Sequence, residues 1–126
     1  MARLLALSGD LMFGSRLQSD MAGAGHELEL IASEARLRER LADVGAPAPA
    51  ALIADLTDDR LDGAAILEAL AADDLTRGLA TVAFYAHVDT DVRARAQHAG
   101  FDLVVPRSRM AREGPALVAQ LLATDG

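Results

Sequence analysis

Asp55 is the residue best placed to do chemistry. It ends the apolar run Ala50-Ala51-Leu52-Ile53-Ala54, and Asp62-Gly63 follows seven residues later. A buried strand that delivers a carboxylate to its C-terminal end, followed by a loop and a helix start, is how α/β proteins build sites. Three other polar residues also lie just past apolar runs. Asp10 follows Leu4–Leu7, His87 follows Thr81–Tyr85, and Arg107 follows Leu103–Val105. Arg107 could grip Asp55 with its planar fork in a bidentate ion pair. His87 could serve as a general base, a metal ligand or a contact to a bound group. Each has a plainer reading. Asp55 could be a buried charge neutralised by Arg107 or capping a nearby loop, since an isolated buried charge needs a partner. Asp10 could be the N-cap of the helix after it, and His87 an exposed loop histidine.

These residues must be positioned by the elements around them. Leu4–Leu7 is continuously apolar, as in a strand covered on both faces. Leu11 to about Ala22 reads as a first helix. His26–Ile31 alternates polar and apolar, which suits a half-exposed edge strand. Ser33 is placed to cap a second helix carrying Leu37, Leu41 and Val44 on one face and closed by Gly45. The third strand is Ala51–Asp55. Asp62 caps a third helix with Ile66, Leu67 and Leu70 inward, ended by Gly78. Thr81–Tyr85 is the fourth strand. Asp89 or Thr90 caps a fourth helix ended by Gly100. Leu103–Val105 is the fifth strand, stopped by Pro106, and Pro115 opens a last helix, from Ala116 to about Ala123. Met12 and Phe13 read as core or helix-edge residues. Strand and helix alternate five times. The expectation is one α/β domain over residues 1–126, with a parallel sheet covered by helices on both faces.

Composition narrows the function. The net charge is −7, with 19 acidic against 12 basic residues, and nucleic-acid binding needs clustered positive charge. Arg36, Arg38 and Arg40 alternate with Glu34 and Glu39 and read as a solvated helix face. Cysteine is absent, which removes disulfides and thiolate metal sites. Hydrophobic residues make up 52%, yet no apolar stretch approaches the roughly 20 residues of a membrane span. The N-terminus reads as a strand and not as a signal peptide. A cytoplasmic protein with neither a nucleic-acid nor a membrane partner is expected. Ser8-Gly9-Asp10 lacks the G-x-G-x-x-G pattern and the P-loop lysine. His26 and His98 do not converge with His87 in such a fold.

The order and length of the chain resemble response-regulator receiver domains. The resemblance rests on Asp55 with Asp62-Gly63, and on Ala96-Gln97-His98-Ala99-Gly100 leading to Val104-Val105-Pro106-Arg107. It implies a five-stranded flavodoxin-like sheet in the order 2-1-3-4-5. It also implies roles by position. Asp55 matches the phosphoacceptor and Asp10 the second acid of a Mg²⁺ pocket. Gly9 stands where the first acid should be. Tyr85 or Ala86 replaces the Thr or Ser that reads the phosphoryl group, and Arg107 replaces the Lys that pairs with it. Arginine for lysine exchanges a point charge for a planar fork.

The expectation is therefore a stand-alone, degenerate receiver-like module. It would act through protein–protein contact, without enzymatic activity, conventional phosphorylation or a cofactor. The resemblance implies a partner face at residues 90–105 and 115–123, which could form a homodimer. One alternative is a working phosphoacceptor that uses Asp55 and holds Mg²⁺ weakly through Asp10 and Asp55. Another is a small flavodoxin-like hydrolase or nucleotide-binding protein with its site at Asp10, Asp55 and His87.

Overall fold

The computed structural model describes residues 2–86 and 89–125. Five strands alternate with five helices. The strands are β1 (Arg3–Leu7), β2 (Glu27–Ile31), β3 (Ala51–Asp55), β4 (Ala80–Tyr85) and β5 (Leu103–Pro106). The helices are α1 (Leu11–Gly23), α2 (Glu34–Ala42), α3 (Gly63–Ala72), α4 (Thr90–Ala99) and α5 (Arg107–Asp125). All strand pairs are parallel, in the order β2-β1-β3-β4-β5. The alternating strand lies at the edge, as its pattern required. The two central strands β3 and β4 are buried along their whole length.

Side chains alternate across the sheet and build a core on each face. Leu4, Ile53, Val82 and Phe84 pack under α1 and α5 with Leu17, Met21, Leu117 and Val118. Leu5, Leu7 and Leu52 pack on the other face with Leu37, Ile66 and Leu70 of α2 and α3. A smaller cluster, including Ala54, Ala83, Ala96 and Phe101, seats α4.

The helix starts follow their caps. Asp10, Ser33, Asp62 and Asp89 each accept a hydrogen bond from the backbone N–H three residues on, at 3.0, 3.2, 3.1 and 3.3 Å. Such a bond satisfies one of the donors a helix start leaves open.

The helix ends depart from expectation. α3 stops at Ala72, not near Gly78. Asp74 adopts a left-handed backbone, φ 59°, and Leu75 N–H donates to Leu70 O at 2.9 Å. Leu75 then packs against the cluster holding Leu70, a capping arrangement that closes the helix early. α2 stops at Ala42, because Asp43 is extended and its side chain accepts from Gly45 N–H. Val44 is thereby fully exposed and takes no part in the core. Met12 is exposed too, while Phe13 beside it is buried.

The last helix begins at Arg107, directly after Pro106, and not at Ala116. It is broken at Glu113, φ −125° and ψ 15°, just before Gly114-Pro115. A proline ring clashes with the carbonyl four residues back and disfavours helical geometry in the residue before it. Pro115 therefore starts a second helical segment. Gly114 packs closely there, since a Cβ would come 3.3 Å from Met21 Cε. The turn from Arg107 to Arg112 has one fully buried apolar residue, Met110, and so carries little periodic signal.

Arg40 departs from the solvated face expected of it. It is 6% exposed, pairs with Glu29 at 3.2 Å and donates to Pro47 O at 2.8 Å. It anchors the Pro-rich connector to the edge strand. Arg38 reaches Glu34 and Asp73, and the hydrogen bond to Asp73, first, raises its pKa.

Candidate functional site

Parallel strands all end at one edge, and the loops there gather the candidate residues. Asp55 is 1% exposed, and both of its oxygens are engaged. Oδ2 accepts from the Ser8 hydroxyl at 2.6 Å. Oδ1 accepts from the Thr57 backbone N–H at 2.8 Å and from the Thr57 hydroxyl at 2.5 Å. The backbone bond two residues on is an Asx turn, in which the carboxylate folds its own loop back over itself. Ser8 is in turn held by the Asp10 N–H, which donates to its oxygen at 3.1 Å. One hydroxyl thus ties the end of β1 to the end of β3. Sequence reasoning gave neither Ser8 nor Thr57 a role at Asp55. The signal for Thr57 was present, since Asp followed two residues later by Thr is turn chemistry. Ser8 had no local signal, because its partner lies 47 positions away.

Arg107 does not pair with Asp55. Its Nη2 meets Asp10 Oδ2 at 3.0 Å. The guanidinium also lies over the Phe13 ring, 4.4 Å from its centroid, and Phe13 in turn contacts Phe84 at 4.9 Å between centroids. The cause is local. Arg107 opens α5 beside α1, and Phe13 one turn into α1 offers a flat face on which a guanidinium stacks well. Asp55 is served instead by three neutral donors from Ser8 and Thr57. Asp10 therefore does two jobs, capping α1 through Oδ1 and holding Arg107 through Oδ2.

The remaining positions follow from the strand ends. Tyr85 is buried and Ala86 is exposed. Neither supplies a Ser or Thr hydroxyl at the end of β4. His87 lies outside the described residues.

The acidic end of the edge is rebuilt around Gly9. A Cβ at this position would fall against Asp58 Oδ2 and 2.6 Å from Arg60 Nη2. Asp58 is gripped by Arg60 through Nε at 3.1 Å, Nη2 at 3.2 Å and its backbone N–H at 3.0 Å. The Asp58 carboxyl is held below its ordinary pKa, first by the Arg60 side-chain bonds and then by the backbone N–H groups of Arg60 and Gly9.

These residues do not fit a divalent cation. Such an ion asks for several free oxygens in near-octahedral array. Gly9 offers no side chain, Asp10 is tied to Arg107, and both oxygens of the buried Asp55 already accept internal hydrogen bonds. Among the described residues, no group of three or more His, Cys, Asp or Glu side chains could hold a metal. Among them also, no helix is long and apolar enough to cross a membrane.

No family model matches the sequence, and no curated protein is similar to it. Solved structures are similar over nearly the whole of this chain. The receiver domain of TorR, the response regulator of the TMAO respiratory system, superposes with a TM-score of 0.85 at 20% identity, covering 100% of both chains. A protein of Chloroflexus aurantiacus J-10-fl assigned as a response regulator gives 0.82 at 24%, covering 97% of this chain and 98% of that one. The chemotaxis response regulator CheY4 of Vibrio cholerae gives 0.77 at 15%, covering 96% and 98%. Strand order, helix placement and coverage agree: the chain has the flavodoxin-like fold of response-regulator receiver domains.

Proposed function

We propose that the protein is a receiver-like signalling or regulatory module that acts through protein–protein contact and is not conventionally phosphorylated. One observation carries this reading: Asp55 is buried, and Ser8 and Thr57 occupy both of its oxygens. A carboxylate attacks phosphorus through a free lone pair aligned with the leaving group. Here three of the carboxylate's about four lone-pair sites are spent on internal donors, and the group is buried. No Thr or Ser ends β4 to register a phosphoryl group, and Arg107 is committed to Asp10. A non-enzymatic role fits the same geometry, since the Ser8 hydroxyl that bonds Asp55 is itself buried and also accepts from the Asp10 N–H.

The partner face proposed is that of α4, β5 and the second part of α5, residues 90–105 and 115–123. α4 buries only Ala96 fully and presents charged residues outward, Asp91, Arg93 and Arg95 among them. A polar face of this kind suits a reversible protein contact, a second copy of the chain included. Incubation with acetyl phosphate and Mg²⁺, read by intact mass, tests the phosphorylation reading. The mass should stay that of the unmodified chain. A gain of one phosphoryl group that disappears in Asp55→Asn would put the phosphoacceptor alternative in its place.

A further inference from the structure

We propose that the Asp58–Arg60 pair is a built-in substitute for a bound cation and its ligand. Asp58 brings a carboxylate from the β3–α3 loop to the place a side chain at position 9 would take, and Arg60 brings the positive charge that balances it. The two sides of this replacement are visible together. Glycine at 9 leaves a space that a Cβ would fill, and the atoms in that space are Asp58 Oδ2 and Arg60 Nη2. Three donors of Arg60 converge on the one carboxylate. A planar guanidinium gripping a carboxylate through two nitrogens is a directional pair.

The consequence is that every carboxylate gathered here has an internal partner, without a metal. At this edge Arg107 neutralises Asp10, Arg60 neutralises Asp58, and neutral donors serve Asp55. The Asp58 side chain is only 10% exposed, whereas that of Arg60 is 78% exposed. The carboxylate is therefore seated and the guanidinium covers it from the solvent side. The pair walls a groove of about 620 Å³ that runs past Gly9, Leu11, Ser33 and Ile66. The inference concerns the acidic end of the edge and does not depend on whether Asp55 can be phosphorylated.

Mn²⁺ is a suitable probe, because its unpaired electrons broaden nearby amide resonances. In the wild-type protein the amides of Gly9, Asp10 and Asp58 should stay sharp as Mn²⁺ is raised. In Arg60→Gln the carboxylate of Asp58 loses its counter-charge. The same amides should then broaden at a Mn²⁺ concentration at least tenfold lower than any that affects the wild type. The double change Asp58→Asn with Arg60→Gln should return the response to the wild-type level. Arg60 is a surface side chain, so the remaining amide pattern will report an intact fold in all three proteins. Equal broadening of wild type and Arg60→Gln would overturn the proposal, as would a double variant that keeps the sensitivity of Arg60→Gln.

Discussion

Asp55→Ala should lower the stability of the fold by about 2 kcal/mol, measured as a shift in the urea midpoint at unchanged slope. The truncation strands three donors: the Ser8 hydroxyl and the Thr57 hydroxyl and N–H. A stranded buried donor costs about 1–3 kcal/mol, but hydroxyls at a loop edge can turn toward water, and a desolvated carboxylate is removed at the same time. The sum is a loss below the full cost of three. Asp55→Asn should cost less than Asp55→Ala, because its carbonyl oxygen still accepts from Thr57 and the Ser8 hydroxyl can reverse to accept from its amide. The sign is the informative part. A gain in stability on removing Asp55 would mean that repulsion from neighbouring carboxylates outweighs the donors. That would describe an open acidic cluster and not the closed arrangement seen here.

Phe84→Ala should cost about 4 kcal/mol, the range for emptying a fully buried aromatic site. Phe84 is 1% exposed on central strand β4 and stands opposite Asp55 in the β3–β4 register. Its ring backs Phe13, on which Arg107 lies. The cavity would therefore loosen both α1 and the Asp10–Arg107 pair. Phe84→Leu, closer in volume, should cost under about 1.5 kcal/mol. If Phe84→Ala proved as mild as Phe84→Leu in denaturant melts, the surroundings would be collapsing freely and the ring stack would not be what seats Arg107.

Fold and site were legible in the sequence to different depths, for reasons that particular residues show. β3 and β4 are continuous apolar runs, the edge strand alternates, and Asp62 and Asp89 announce helices by their own capping chemistry. All of these are local signals. The helix ends were harder, because Asp74 in a left-handed turn and Leu75 folding back on Leu70 act through packing as well as residue type. The turn from Arg107 to Arg112 has too few apolar residues to show a period, so the sequence announces only the segment that Pro115 opens. Gathering Asp10, Asp55 and Arg107 at one edge follows from topology alone. Which of them pair does not. Arg107 turns to Asp10 because Phe13 offers it a face, and Ser8 reaches Asp55 across two strands that adjoin only in the folded sheet. Gly9 read as a missing acid, and only the folded loop brings Asp58 and Arg60 into that space.

The central claim is that Asp55 is closed from within. Beryllofluoride with Mg²⁺ tests it most directly, since it forms an adduct with a reachable carboxylate in the geometry of a phosphoryl group. The backbone amides of Leu56 and Thr57, followed by ¹⁵N chemical shift, report on Asp55 through the turn that Thr57 closes. The account predicts that these resonances stay in place as beryllofluoride is added. Saturable shifts at Leu56 and Thr57 that are lost in Asp55→Asn would contradict it.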